Sequence, residues 1–305
     1  MISATGLGIE LESAGTRVLV GTVAAVLRSL EVDGVALTEP LPDGAAPRFA
    51  SGIVLSPWPN RVGDGRWELD GTPQQLTITE PDRRNAIHGL LRYADYEVLE
   101  RSADAVRLGA IIPPQPGWPS LLETWVEYRA VADGLDVRHG VVNRSALRTP
   151  YAVGAHPFLR LGDARVEELV VTVHADAWIE ADERLLPVAT RPVDGTIYDL
   201  RAGVRVGEVG GRLDTAYAGV RHAADGEVAR LEDPATGRRL SLRQDVEWGH
   251  VQVFTPSAFP SAEGERQAIA IEPMTAPPDA LRSGDGLVWL EPGAAWSGGW
   301  SLRLS

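Results

Sequence analysis

The stretch Glu123-Thr124-Trp125-Val126-Glu127-Tyr128-Arg129-Ala130-Val131-Ala132-Asp133-Gly134-Leu135-Asp136-Val137-Arg138-His139-Gly140-Val141-Val142-Asn143 decides the fold class. Apolar and polar residues alternate through much of both flanks, the period of a strand with one wet face. Between them stands Asp133-Gly134, a pair suited to hairpin turns. The stretch therefore reads as strand, Asp-Gly turn, strand. Outward from it the same grammar repeats in short segments such as 7–12, 16–20, 24–32, 106–112, 227–233, 239–244, 250–255 and 268–272. Asp33-Gly34, Asp70-Gly71, Asp225-Gly226 and Thr236-Gly237 punctuate them. No helix-length window keeps a 3.6-residue apolar face. Many short strands without intervening helices pair antiparallel, which makes the chain all-β, a sandwich or a barrel. About fifteen strands exceed one small sandwich and suggest one large, twisted, two-sheet body, a single domain over 1–305. The stretches 41–52 and 257–265 read as surface loops.

Composition narrows the chemistry. The 305 residues carry 29 basic and 42 acidic side chains, a formal charge of −13. All the basic residues are arginine, and cysteine is absent. Schiff-base chemistry needs a lysine amine, and thiol catalysis or iron–sulfur clusters need thiolates. The acidic balance argues against a nucleic-acid partner, which requires clustered cations. The N-terminal stretch 1–15 has no basic region followed by an apolar core, so no signal peptide is expected. The least polar stretch, 18–27, is ten residues long, against about 20 for a membrane span. A cytoplasmic protein without a membrane partner is the expectation. The six histidines show no His-x-x-x-His spacing, and neither a phosphate-binding glycine loop nor a Gly-x-Ser-x-Gly elbow occurs, so no metal site or cofactor is expected.

Polar residues crowd beside glycine and proline in four places, where a β-rich chain puts its functional loops. Glu272 follows the uncharged run 268–271 and precedes Pro273. A carboxylate at the end of an apolar strand is partly desolvated, which raises its pKa and improves it as a proton acceptor. The alternative is a strand-end glutamate facing water or an arginine. His156 stands before Pro157, which biases it toward an extended backbone and could hold an imidazole firmly as a proton donor. It could equally be satisfied by a carbonyl in a tight turn. His88, before Gly89, is a loop histidine able to bond a hydroxyl. Arg61 offers a fork of donors and Asp214 accepts from paired hydroxyls. Brought together with the aromatic faces of Trp58 and Phe254, they would form a polyol pocket. Separately, they read as surface ion-pair members and core aromatics.

Taken in order, these segments resemble the aldose 1-epimerase (mutarotase) family. The resemblance rests on Asn60-Arg61 with Gly65-Arg66-Trp67-Glu68-Leu69-Asp70-Gly71, then Asn85-x-x-His88-Gly89 and Gly117-Trp118-Pro119-Ser120. It continues through Gly154-x-His156-Pro157-Phe158 and Leu213-Asp214 to Glu272-Pro273, spanning roughly 51–279. Asp214 is a single acidic residue where many relatives show two, and Trp118 stands where relatives often carry tyrosine. The resemblance implies a large antiparallel β-sandwich of the galactose mutarotase-like supersandwich type. It implies Glu272 as general base and His156 as general acid, with Arg61, His88 and Asp214 on the sugar hydroxyls and ring oxygen.

Such a reaction is physically self-sufficient. Opening a pyranose needs the anomeric hydroxyl proton removed and the ring oxygen protonated, which a carboxylate and an imidazolium on opposite sides of the C1–O5 unit can do. Rotation about C1–C2 and reclosure complete the exchange of anomers. Nothing is oxidised and no group leaves, so no metal or cofactor is required. The expected activity is aldose 1-epimerase on a free hexose. A hexose-6-phosphate epimerase, with Arg83, Arg84 and Arg92 as phosphate ligands, is the rival enzyme. A non-catalytic sugar-binding module is the rival of another class.

Overall fold

The computed structural model describes residues 3–42, 44–261 and 264–305. Among these residues the chain is nearly all strand, and its two α-helical segments, Val206–Val209 and Ala280–Ser283, are single turns. Two large sheets carry the molecule. One has nine strands in the order Glu97–Arg101, Ala105–Ile112, Leu122–Val131, Gly134–Asn143, Ala295–Leu304, Arg239–Gln244, Glu227–Glu232, Val170–Val173 and Val204–Arg205. The other has eight, running Pro187–Pro192, Ala175–Ala181, Asp214–Val220, His250–Phe254, Ile269–Met274, Gly154–Ala155 and Val54–Leu55, with Phe158–Leu159 also paired to Ile269–Met274. Their ladders are antiparallel. A four-stranded sheet, residues Gly8–Ser13 to Val35–Ala36, joins them.

The period-two pattern sets which face is buried. In Leu122–Val131 the inward positions are Leu122, Thr124, Val126, Tyr128 and Ala130. Across the ladder Leu135, Val137 and Val141 face the same way, with His139 among them. These residues join Val251, Val253, Ile269 and Ile271 of the other sheet, and Ile9, Leu11 and Val20 of the third, in one core. Two inner faces sharing a core make an antiparallel β-sandwich.

Local departures have local causes. Val131 pairs with Gly134, so the hairpin loop is Ala132 and Asp133, one residue earlier than the Asp-Gly pair predicts. Gly134 serves another need: a Cβ there would collide with the Leu302 carbonyl oxygen of the next strand. The strand expected over 24–32 begins at Leu27. Ala24 and Ala25 have φ of 57° and 47° and form a turn that the sequence does not announce. The loop expected over 257–265 contains the paired strands Phe259–Ser261 and Gly264–Arg266, and residues 262 and 263 lie outside the described residues.

Candidate active site

Glu272 is the fourth of six residues in Ile269–Met274, inside the strand and not at its end. The strand passes through Pro273 because its neighbour departs there. Ala270 pairs with Phe158 and Met274 with Gly154, so His156 and Pro157 leave the ladder between them. The Pro273 carbonyl lies toward Gly154, on this vacated side, so the absent N–H costs no ladder bond. The same gap brings the His156 imidazole to Glu272. His156 is tied at both backbone ends, its N–H donating to the Ile53 carbonyl and its carbonyl accepting from Gly52.

Neighbouring strands supply the rest. Gln252 stands opposite Glu272, and Asp214 opposite Phe254. Arg61 opens the strand Arg61–Gly63 and pairs with Ile87, which places His88 at the next position. Asn60 and His88 take left-handed φ of 54° and 65°. Asn60 accepts the Arg61 N–H on its own side chain, the local bond that makes asparagine tolerant of that backbone. Gly89 follows His88 at φ 73°, pressed against the Ser56 carbonyl where a Cβ would clash.

Arg61, His88, His156, Asp214, Phe254 and Glu272 line one cavity of about 440 Å³. Trp58 does not line it. It is 2% exposed and packs 6.0 Å from the Trp118 ring within the core.

His156 Nε2 lies 3.3 Å from Glu272 Oε1, with both side chains buried. His156 Nδ1 and Glu272 Oε2 have no hydrogen-bond partner. Burial, reinforced by the charge of Asp214 and only partly offset by Arg61, holds the Glu272 carboxyl well above the ordinary glutamate range. Burial, with the positive charges of Arg61 and Arg92, pushes the His156 imidazole down to about 3. Both shifts favour the uncharged forms of the two groups. His88, its ring 5.5 Å from that of His156, is held well below the ordinary imidazole value by burial, then by His156, Arg92 and Arg61.

The other wall is a charge network. Arg61 donates from Nε and Nη2 to Glu80 at 3.0 Å, and its Nη2 is 3.7 Å from Asp214. Asp214 also accepts from Gln252 at 2.6 Å. Burial works to raise the Glu80 carboxyl, but Arg61, Asn85 and Arg83 outweigh it and hold the group below its ordinary value. A carboxylate–guanidinium fork of this kind fixes Arg61 geometrically. Among the described residues, no group of three or more His, Asp or Glu side chains is placed to hold a metal ion.

The Aldose 1-epimerase family profile matches residues 8–303. The chain belongs to the aldose 1-epimerase family. It is 31% identical to the uncharacterized protein YihR of Escherichia coli K12 over 95% of this chain and 90% of that one. Galactose mutarotase of Rattus norvegicus is 31% identical over 52% of this chain, a match spanning 47% of the rat protein. The crystal structure of the GalM/aldose epimerase homologue from C. elegans shares the fold, with a TM-score of 0.85 at 20% identity over 98% of each chain.

Within this aldose epimerase cavity, three contributors had no sequence signal. Glu80 sits in a plain Thr-Glu-Pro stretch, and Gln252 is one polar residue in a strand. Phe49 belongs to the stretch 41–52, expected to be a surface loop. In the structure Phe49 and Ala50 turn at φ 53° and 57° and line the cavity, with the Phe49 ring 5.9 Å from Phe254. Asp43 of that stretch lies outside the described residues.

Proposed function

We propose that this protein is an aldose 1-epimerase interconverting the α and β anomers of a free aldose, with Glu272 as general base and His156 as general acid. The observation carrying the proposal is the buried contact of 3.3 Å between His156 Nε2 and Glu272 Oε1 beside a sugar-sized cavity. The two groups touch each other, closer than the opposite-sided arrangement expected from sequence. The anomeric oxygen and ring oxygen share C1, so adjacent groups can serve both.

The proton inventory fits the reaction. In the form with a carboxylate and an imidazolium, Glu272 takes the anomeric hydroxyl proton as His156 protonates the ring oxygen, and the C1–O5 bond breaks. The open aldehyde is then accompanied by a neutral carboxyl and a neutral imidazole. Burial favours that neutral distribution, before the ring opens as well as after. After rotation about C1–C2 the protons return along the same path. Arg61, His88 and Asp214 hold hydroxyls, and Phe254 offers an apolar face to the sugar. No cofactor takes part, and the protein acts as a cytoplasmic, single-domain enzyme. No helix among the described residues is long and apolar enough to cross a membrane.

The phosphorylated-sugar alternative has weaker support. Of its three arginines, Arg84 pairs with Asp64 away from the cavity, and Arg83 pairs with Glu80. Polarimetry on freshly dissolved α-glucose and α-galactose tests the proposal. Acceleration of the approach to anomeric equilibrium is expected. Sugar binding without acceleration for any common aldose would overturn it in favour of a binding module.

A further inference from the structure

A second cavity, of about 750 Å³, backs onto the catalytic one, and the acid–base reading gives it no task. The two share the chain between 47 and 51. Pro47, Phe49 and Ala50 line the catalytic side, and Arg48 and Ser51 line the other. Phe259 also lines the second cavity, its ring 4.5 Å from that of Phe158 and 6.1 Å from that of Phe49.

Glu39 is the residue that makes this cavity more than a void. It lines the cavity with a side chain only 1% exposed, and its backbone N–H donates to the Phe158 carbonyl at 2.9 Å. Its Oε2 accepts from Arg266 Nη2 and lies 3.7 Å from Arg160 Nη1. Its Oε1 is buried with no hydrogen-bond partner, and so is the Nε of Arg266. Burial raises the Glu39 carboxyl above its ordinary value despite both arginines. Buried polar atoms left open in this way are costly until something completes them. The rest of the wall is largely apolar, with Pro40, Leu41 and Pro42 facing Phe259 and Pro260 around the same space.

The two open atoms define what would complete them. Oε1 accepts and Nε donates, and they belong to residues already joined by the Glu39–Arg266 contact. A hydroxyl does both, so one hydroxyl or a neighbouring pair answers the two atoms together. An oxyanion has no hydrogen to give Oε1, and an ammonium has no lone pair for Nε. The apolar wall calls for a ligand body that buries apolar area, with the few polar groups fixing its orientation.

We propose that this second cavity binds an uncharged hydroxylated compound with an apolar body, such as a sugar carrying an aryl or alkyl group, and that Glu39 and Arg266 receive its hydroxyls. The proposal goes beyond the epimerase reading and does not depend on it.

The probe is phenyl β-glucopyranoside, titrated calorimetrically into the full-length protein beside methyl β-glucopyranoside and benzoate. The phenyl glycoside should bind about tenfold or more tighter than the methyl glycoside, the worth of burying the aryl group. It should exceed benzoate, which has the ring but an oxyanion in place of hydroxyls, by about the same factor. In the paired variant Glu39→Leu with Arg266→Leu its affinity should fall about tenfold or more, the loss expected for hydrogen bonds to charged groups. A melting curve shows whether that variant is folded. Methyl-labelled wild-type protein gives the answer without any variant: the phenyl protons should show nuclear Overhauser contacts to the Leu41 methyls. Contacts to the Ile87 methyls instead would seat the probe in the catalytic cavity and overturn the proposal. Equal affinity for the three probes, no binding at millimolar concentration, or undiminished affinity in the folded paired variant would overturn it as well.

Discussion

His139 and His156 are two buried imidazoles, one within a strand of the nine-stranded sheet and one in the gap between two short strands of the other. They are 1% and 5% exposed, and burial pushes each down to about 3. Their partners differ. His139 Nε2 accepts the indole N–H of Trp300 at 3.2 Å, with Trp248 packed against its ring. His156 meets a carboxyl at 3.3 Å and leaves Nδ1 open. An indole N–H only donates and does not exchange protons at ordinary pH, so His139 is locked neutral. A carboxyl can give its proton and take it back. Desolvation is common to both sites and does not make a catalyst. What distinguishes them is whether the neighbour can trade a proton.

The largest expected effect breaks this comparison most directly. His156→Gln and Glu272→Gln should each lower kcat by about 10²–10⁴-fold in polarimetric assays, the usual contribution of a general acid or base. His139→Gln should leave turnover close to wild type. Equal losses in the two histidine variants would show that burial, not partnership, is what matters.

Stability should rank the sites in reverse. Removing the acceptor in His139→Ala leaves the Trp300 N–H buried and unsatisfied, at a cost of about 1–3 kcal/mol plus lost packing. In His156→Gln the loss should be smaller, because the wild-type site already carries unpaired polar atoms. Urea denaturation at neutral pH compares them.

A smaller effect lies in the acid limb of stability. Both imidazoles have folded values below their ordinary one, so what they contribute is present above about pH 6.5 and is lost as pH falls toward 3, by up to about 1.4 kcal/mol per pH unit for each group. The slope of unfolding free energy between about pH 6 and pH 4 should therefore be shallower in His139→Ala than in wild type. Glu272 has the opposite sign: its contribution is present below the ordinary glutamate value and is lost as pH rises through the raised one. An unchanged slope would place the proton uptake elsewhere.

The smallest effect concerns the rate profile. The dyad works while it holds one proton. The lowered imidazole moves the acid limb down, and the raised carboxyl moves the alkaline limb up. Acidification from about pH 5 to pH 4 should therefore change kcat/KM by less than about twofold. A fall centred near about pH 4.3 would mean that the carboxyl keeps its ordinary value.

How far the sequence foretells this molecule depends on the range of the interaction. Alternation in Leu122–Val131 gives the strand and its buried face because both follow from period two. The turn is placed a residue late because Gly134 answers to Leu302, 168 residues away, and not to its own hairpin. Arg61, His88, His156, Asp214, Phe254 and Glu272 converge on one cavity, and all but Phe254 sit in a motif of fixed local chemistry. Glu80 and Gln252 are invisible beforehand because they act by orienting Arg61 and Asp214 across the sheet. Trp58 misleads for the opposite reason: adjacency to the Asn60-Arg61 motif says nothing about which side of the backbone its ring takes.

Pro273 has a consequence for how the opening beside Glu272 persists. A β-sheet tends to zip wherever two strands run alongside with free donors and acceptors, and a defect flanked by paired positions on both sides is under pressure to close. Here the paired positions are Phe158 with Ala270 and Gly154 with Met274. An amide at position 273 would offer the intervening chain a bond for falling into line, and the His156 imidazole would be carried off with it. Proline withholds that bond. The aperture in the sheet is thus secured by the covalent chain.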